Sequence, residues 1–194
     1  MKKVMLLLSN GFEMYEASVF SDVIGWSNDE IGDYKLELVT VGLRERIKCT
    51  WNFNVIPEKL LSEVNIEEFD ALAIPGGFEE AGFYEEAYSE EFLEIIRKFN
   101  DAGKTISSVC VAALPIGKSG VLKGRRGITF HLNNGHRLNQ LKEFGVEISD
   151  TLFTEDKNIV TCSGPANALA VAFNLLERLT DKENTEKVKR AMGF

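Results

Sequence analysis

The sequence predicts an α/β fold, in which a doubly wound, mostly parallel sheet is sandwiched by helices. Strand-like and helix-like segments alternate along the chain, which is typical of βαβ units. The strand candidates at 4–8 and 71–74 are apolar at every position, and this indicates strands buried on both faces. No Pro/Ser-rich or low-complexity stretch divides the 194 residues. We therefore expect a single domain over 1–194.

The elements of the first half follow from apolar spacing and from stop signals. Apolar residues at helical spacing indicate a helix near Tyr15–Ser27. Pro75-Gly-Gly77 marks the end of the strand Ala71–Ile74. Ser89 is the cap of the next helix, which has acidic residues near its start and basic residues near its end. In order, the predicted segments are strand Val4–Leu8, helix Tyr15–Ser27, strand Leu36–Val41, an irregular patch at Arg44–Asn54, a short helix Glu58–Val64, strand Ala71–Ile74 and a helix from Ser89 to Phe99.

The second half continues the alternation. In order, the predicted segments are strand Thr105–Val109, helix Val111–Ser119, a short extended piece Arg126–Phe130, helix Arg137–Phe144, extended segments Val146–Ile148 and Asn158–Cys162, helix Ala166–Thr180 and a charged helix Asn184–Ala191. Sites in such folds lie beyond the carboxyl ends of the strands. The turns after three of these strands carry Glu13, Glu16, Gly76, Gly77 and Cys110. We expect these turns to share one rim.

Cys110 lies at the turn between a predicted strand and a predicted helix, a position that favours a role as a nucleophile. The N–H groups that begin a helix favour thiolate over thiol. They can also hold the anion that forms when the sulfur attacks a carbonyl. A single cysteine is more often a small buried hydrophobic residue. The interpretation of Cys110 as a nucleophile therefore depends on its position at the strand-to-helix turn. Cys49 and Cys162 are interpreted as packing residues, although Cys162, which precedes Ser163-Gly-Pro165, could lie at the edge of the site.

A cysteine nucleophile also needs a proton-transferring group and donors for an oxyanion. Glu16, His131 and the Gly76-Gly77 turn could supply them, and Glu13 could replace Glu16. A half-buried carboxyl group has a raised pKa and could donate a hydrogen bond to the thiolate. Of the two histidines, His131 is favoured because it ends an extended segment.

Composition excludes several classes of function. The 30 acidic and 22 basic residues give a net charge of −8, which argues against binding to nucleic acid or to an anionic membrane. No apolar run approaches the roughly 20 residues that span a bilayer. Three cysteines without a CxxC pair fit neither a disulfide scaffold nor a zinc site, so we expect a cytoplasmic protein without a metal. The relaxed phosphate-loop match at 112–119 is weak because Ala112 replaces the first glycine of the pattern and Pro115 has no N–H group to offer, and no cofactor motif is found.

Five motifs in order identify the chain as similar to a known group. They are Gly11-Phe-Glu-Met-Tyr-Glu16, Ala73-Ile-Pro-Gly-Gly77, Ser107-Ser-Val-Cys110, Gly124-Arg-Arg-Gly-Ile-Thr-Phe-His131 and Thr161-Cys-Ser-Gly-Pro165. The chain resembles the ThiJ/PfpI superfamily, which includes the Parkinsonism-associated protein deglycase. The resemblance covers nearly the whole length and implies a flavodoxin-like, class I glutamine amidotransferase-like fold and a homodimer.

The resemblance also implies roles for individual residues. Cys110 would be the nucleophile at a strained elbow, Glu16 the carboxyl that hydrogen-bonds its sulfur and His131 the acid/base. The N–H groups of Gly77 and Val111 would be the oxyanion donors. Where protease-like members have histidine, this chain has Val111, which argues against proteolysis. The change of the usual small pair to Val111-Ala112 alters the shape of the expected pocket.

These observations lead to a cofactor-independent cysteine enzyme for small reactive carbonyls, of glyoxalase or deglycase type. Two alternatives stay open. The segment from Cys110 to Arg126 also resembles the isocyanide-hydratase-like branch, so a hydratase is the enzymatic alternative. A redox-responsive stress protein, in which Cys110 is oxidised to a sulfinate beside Glu16, is the non-enzymatic one.

Overall fold

The computed structural model describes residues 1–29 and 33–194. The strands are β1 Lys2–Leu8, β2 Leu36–Gly42, β3 Ile47–Lys48, β4 Asn54–Val55, β5 Lys59–Leu60, β6 Ala71–Ile74, β7 Thr105–Ser108, β8 Arg126–Gly127, β9 Glu147–Ile148, β10 Phe153–Asp156 and β11 Ile159–Cys162. The helices are α1 Met14–Asn28, α2 Phe83–Ala87, α3 Glu90–Asp101, α4 Ala113–Lys118, α5 His136–Glu143, α6 Ala168–Leu179 and α7 Lys182–Met192.

Seven strands form the central sheet in the order β10-β11-β7-β6-β1-β2-β5. All neighbouring pairs are parallel except β10 with β11. The strands β1, β6 and β7 are adjacent at the centre, with Val4 opposite Ala71 and Ala73 opposite Ser107. The turns that follow these three strands therefore meet at one edge of the sheet. The predicted α/β fold with a mostly parallel sheet is confirmed.

Helices cover the sheet in two groups. The helices α1, α6 and α7 pack together, while α3 packs on β6 and β7 and contacts α2 and α4. Ser89 caps α3 as the sequence predicts, its hydroxyl accepting a hydrogen bond from the Phe92 N–H at 3.3 Å. Within the described residues, no helix has the length and apolar character needed to cross a membrane.

Several segments differ from the sequence-based predictions. The predicted helix Glu58–Val64 is wrong, because Lys59–Leu60 forms the edge strand β5 beside β2 and only Leu61–Glu63 forms a 3-10 turn. Pairing with the sheet overrides local helical propensity here. The patch at Arg44–Asn54 contains part of a small hairpin of β3 and β4.

Further along the chain, the edge strand β10 and the short helix α2 were not predicted. The extended pieces near 126–130 and 146–148 pair with each other as β8 and β9, so they form a separate small sheet and do not join the central one. The helix predicted from Val111 begins as a 3-10 turn at Cys110–Ala112, and α4 follows.

Candidate active site

Cys110 follows β7 in a left-handed backbone conformation, with φ of 56°. This conformation costs a residue with a side chain about 1–2 kcal/mol, so the surrounding structure must hold it. The N–H of Val109 donates to the Ile74 carbonyl at 3.1 Å, and the Thr129 hydroxyl donates to the Cys110 carbonyl at 3.0 Å. Backbone strain held in this way is typical of functional sites.

The carboxyl group of Glu16 lies beside the Cys110 thiol. Glu16 is in the first turn of α1 and is fully buried. Its Oε2 accepts a hydrogen bond from the Gly76 N–H at 2.7 Å. Its Oε1 is buried and has no well-aligned hydrogen-bond partner among the described residues, although the Glu13 carboxyl and the Cys110 thiol are close enough to change its pKa by hydrogen bonding.

Gly76 allows this close approach because it has no side chain. A Cβ at this position would lie 2.8 Å from Glu16 Oε2 and 3.1 Å from the Cys110 Cβ. Both distances are tighter than ordinary carbon contacts, so a larger residue would force the carboxyl and the thiol apart. The glycine pair predicted after β6 is therefore a packing requirement of the site.

The site contains two buried acidic groups that oppose each other's ionisation. Burial, and then the Glu13 charge, raise the pKa of Glu16 well above the ordinary 4.5. Burial, and then the Glu16 charge, raise the pKa of the Cys110 thiol, while the Val111 N–H lowers it. Two negative charges in one buried place are costly. A Cys110 thiolate therefore requires Glu16 to hold its proton, and a neutral Glu16 removes the repulsion.

Two N–H groups near the sulfur have no backbone acceptor in the described residues. Within residues 1–29 and 33–194, neither the Gly77 N–H nor the Val111 N–H donates to a backbone carbonyl. A Cβ on Gly77 would lie 2.3 Å from the Gly11 carbonyl oxygen, so a glycine is needed here too. Their places beside Cys110 match the oxyanion donors that the sequence predicts, and their role stays a prediction.

A cavity of about 430 Å³ opens onto Cys110, which is itself 8% exposed. Its lining residues are Glu13, Gly77, Phe78, Glu79, Glu80, Cys110, Val111, Phe130, Asn133, His136, Arg137 and Pro165. The cavity thus joins the glycine turn after β6, the start of α4 and the start of α5.

The two histidines are placed differently relative to this cavity. His136, the first residue of α5, lines it, whereas His131 is not among the lining residues that the structure describes. His131 is half-buried, and its buried Nδ1 has no hydrogen-bond partner in the described part of the chain. The acid/base role of His131 stays a prediction, and His136 is the histidine with access to the space in front of Cys110.

The sequence did not single out the outer lining residues Phe78, Glu79, Glu80 and Arg137. Arg137 donates to a Glu79 carboxylate oxygen at 2.7 Å across 58 positions of sequence. Only their positions in the sequence could have indicated them. Phe78, Glu79 and Glu80 directly follow the glycine turn, and Arg137 directly follows His136.

The other two cysteines lie outside the cavity lining. Cys49 and Cys162 are 1% and 0% exposed. The Cys162 thiol contacts the Cys110 backbone N–H, and burial raises its pKa to about 11. In the described residues, no group of three or more His, Cys, Asp or Glu side chains is arranged to hold a metal ion.

The chain belongs to the DJ-1/PfpI family, whose family model matches residues 2–178. Among curated relatives, protein DJ-1alpha of Drosophila melanogaster is 28% identical over 194 residues, which cover 98% of this chain and 83% of the relative. The deglycase PH1704 of Pyrococcus horikoshii is 33% identical over 118 residues, which cover 61% of this chain and 67% of the relative.

Solved structures agree with the fold. The crystal structure of Drosophila melanogaster DJ-1beta superposes with a TM-score of 0.85 at 23% identity, covering 98% of this chain and 97% of that one. A variant of the DJ-1 superfamily protein STM1931 from Salmonella typhimurium gives a TM-score of 0.83 at 25% identity, covering 100% and 99%.

Proposed function

We propose that the protein is a cofactor-independent cysteine enzyme that acts on small reactive carbonyl compounds, of glyoxalase or deglycase type. The observation that carries this proposal is the strained Cys110, which lies beside a buried carboxyl group and opens onto a cavity. A further support is that PH1704 and other archaeal relatives are named deglycases.

The proposed reaction uses an aldehyde that carries a neighbouring ketone, such as methylglyoxal. The Cys110 thiolate adds to the aldehyde carbon, and the N–H groups of Gly77 and Val111 bind the oxygen as it becomes an oxyanion. The aldehyde hydrogen is then moved to the neighbouring carbon by a proton-transferring group, which leaves a thioester and an alcohol. Water hydrolyses the thioester, releases a hydroxy acid and regenerates the thiol.

Glu16 and a histidine divide the proton chemistry in this scheme. A neutral Glu16 donates a hydrogen bond to the thiolate and holds the negative charge at sulfur. The resemblance assigns the proton transfer to His131, while His136 faces the cavity. His131→Gln and His136→Gln separate the two, because loss of the residue that transfers the proton lowers kcat by about 10²-fold or more.

The test of the function is turnover of methylglyoxal to lactate by the wild type and by Cys110→Ser. We expect the variant to lose about 10³-fold or more of kcat/KM. Cys49→Ser is the matched control, since that thiol lies outside the cavity, and it should keep most of the activity. Undiminished turnover in Cys110→Ser would end the proposal. An isocyanide assayed alongside tests the hydratase alternative.

A redox-sensing role is the second candidate, favoured by the exposure of the thiols. Cys110 is 8% exposed and faces the cavity, whereas the other two cysteines are almost completely inaccessible. Mild peroxide should therefore add two oxygens at Cys110 before it modifies Cys49 or Cys162. Glu16→Leu, which cannot hydrogen-bond the product, should slow this step; equal oxidation of all three thiols would contradict the role.

We also propose a homodimer that works in the cytoplasm on a small-molecule electrophile. The support for a dimer is the exposed apolar surface of α1, where Tyr15 and Trp26 are 49% and 40% exposed. Sedimentation equilibrium at several concentrations tests the oligomeric state, and Trp26→Glu should weaken association if α1 forms the contact.

A further inference from the structure

Carboxylate groups dominate the charge around the cavity that opens onto Cys110. Glu13, Glu79 and Glu80 all line it. We call these three residues the acidic rim. Phe78, Glu79 and Glu80 are exposed, so they belong to the part of the lining that faces solvent. A cleft lined by one sign of charge repels ligands of the same sign and slows their entry.

Arg137 is the one Lys or Arg among the described lining residues, and its charge is already engaged. Its guanidinium donates to Glu79 at 2.7 Å and to the Gln140 side chain at 2.9 Å. It also lies over the Tyr84 ring, 4.9 Å from the centroid. Arg137 is therefore held against the wall by three partners and balances the charge of Glu79.

Glu80 has no such partner. Within residues 1–29 and 33–194, its carboxylate forms no ion pair and no hydrogen bond. Glu13 is half-buried, and burial raises its pKa, which leaves Glu80 as the exposed carboxylate of the acidic rim that has no partner in the described residues. Its field therefore acts on whatever enters the cavity.

The rest of the entrance is aromatic. Phe78 is 39% exposed, and the Trp51 ring packs against it edge to face at a centroid distance of 5.0 Å. The faces of aromatic rings attract cations and apolar groups, and they offer nothing to a carboxylate. The aromatic residues at the entrance therefore disfavour carboxylates, as the acidic rim does.

We propose that this entrance restricts the substrates of Cys110 to neutral or positively charged electrophiles and excludes those that carry a carboxylate, with Glu80 as the specificity-determining residue. The inference rests on the proposed function for its substrate, a carbonyl compound. It deepens that function by giving the charge class of the compound. Glu80 touches no reacting atom and acts through its charge at the entrance.

Two alkylating agents that differ in charge measure this selectivity without any turnover. Iodoacetamide is neutral and iodoacetate is an anion of similar size. In both reactions the Cys110 sulfur forms a bond to the CH₂ carbon while iodide leaves with the electron pair of the broken bond. Peptide mapping by mass spectrometry gives the rate at Cys110, and 2-mercaptoethanol gives the intrinsic rate ratio of the two reagents.

At low ionic strength, the amide-to-acid rate ratio at Cys110 should exceed the intrinsic ratio about tenfold, the size expected for one or two unit charges across a partly solvated cavity. Glu80→Gln should reduce the excess roughly threefold and Glu80→Lys should abolish it. Glu85→Lys is the matched control, since Glu85 is exposed on the neighbouring α2, does not line the cavity and makes the same charge change.

Two results would overturn the inference. One is a wild-type amide-to-acid rate ratio at Cys110 that equals the ratio for 2-mercaptoethanol, and the other is an equal effect of Glu80→Lys and Glu85→Lys on that ratio. Failure of the inference is distinct from that of the proposed function. Charge selectivity without turnover of methylglyoxal removes the carbonyl chemistry and leaves the selective entrance, while turnover without charge selectivity does the reverse.

Discussion

Cys49 and Cys110 are both buried single cysteines, yet the chain uses them in opposite ways. The Cys49 sulfur accepts hydrogen bonds from the N–H groups of Trp51 and Phe53, both at 3.3 Å. It thereby holds together the turn between β3 and β4, and its own backbone is unstrained. Cys110 has a left-handed backbone, contacts the Glu16 carboxyl and opens onto a cavity.

The comparison shows that two buried thiols of one chain can have very different surroundings. Cys49 is 1% and Cys110 8% exposed, and of the two Cys110 lines the cavity. The fold also places more constraints on Cys110: a left-handed φ, a buried acid and two N–H groups that have no backbone acceptor in the described part of the chain lie around it. Reactive cysteines are recognised by such surroundings and not by the residue type.

The largest expected effect comes from adding a methyl group at Gly76, because this residue lies against both the Glu16 carboxyl and Cys110. Gly76→Ala places a Cβ 2.8 Å from Glu16 Oε2, so we expect about 1–3 kcal/mol less free energy of unfolding and about a hundredfold less turnover. Chemical denaturation and the methylglyoxal assay measure the two. Gly25→Ala is the control, because its Cβ meets nothing within 4 Å and should stabilise α1 by about 0.5–1 kcal/mol. Equal stability of the two variants would refute the tight packing around Cys110.

Substituting each cysteine by alanine and by glycine should reverse the order of stability between the two sites. At Cys110, with φ of 56°, glycine relieves a conformation that costs alanine about 1–2 kcal/mol, so Cys110→Gly should be the more stable variant. At Cys49 the extra backbone freedom of glycine lowers stability, and Cys49→Ala should be better by about 0.5–1 kcal/mol. Thermal denaturation of the four proteins decides this; the same order at both sites would contradict a strained elbow.

Removing the charge of Glu16 should stabilise the protein at high pH. Because burial raises the pKa of Glu16 in the folded state above the 4.5 of the free group, the folded state binds the proton more tightly. Wild-type stability from this group is therefore full below pH 4.5 and falls as the pH rises through the folded pKa. Glu16→Gln keeps an acceptor for the Gly76 N–H and avoids that loss.

We expect Glu16→Gln to melt about 2–4 °C above the wild type at pH 8, or about 1 kcal/mol for a chain of this size, and to show a smaller difference at pH 4. Glu67→Gln, at an exposed position on a 3-10 turn, controls for the loss of a surface charge. A difference that shrinks as the pH rises would show that Glu16 is ionised at little cost in the folded state.

The smallest change in reactivity should come from the hydroxyl groups that support the two cysteine turns. The Thr129 hydroxyl donates to the Cys110 carbonyl at 3.0 Å, and the Thr50 hydroxyl donates to the Gly11 carbonyl at 2.7 Å. Replacement of either by valine should cost about 0.5–1.5 kcal/mol. Only Thr129→Val should change the alkylation rate of Cys110 by about twofold or more, and an equal change in both variants would show that the elbow is not held by Thr129.

The sequence was most informative where an element is regular and central. The strand Ala71–Ile74 has the predicted bounds, and Thr105–Val109 differs only at its last residue. Prediction failed at the edges of the sheet, where strand pairing decides: Glu58–Val64 has a helical composition yet contributes β5, and the polar Phe153–Asp156 becomes a strand only because β11 pairs with it.

The alternation of strands and helices along the chain was enough to predict the fold class and the turns that carry the site. Parallel strands place their carboxyl ends at one edge of the sheet, so the residues that follow them must meet there. The residue pattern left Glu13 and Glu16 open as the carboxyl group that faces the sulfur, and the docking of α1 distinguishes them because it buries Glu16 and leaves Glu13 at the cavity. The tertiary structure also brought His136 and Arg137 to the glycine turn. Contacts of this kind join residues far apart in sequence, and no local pattern encodes how a helix or loop docks.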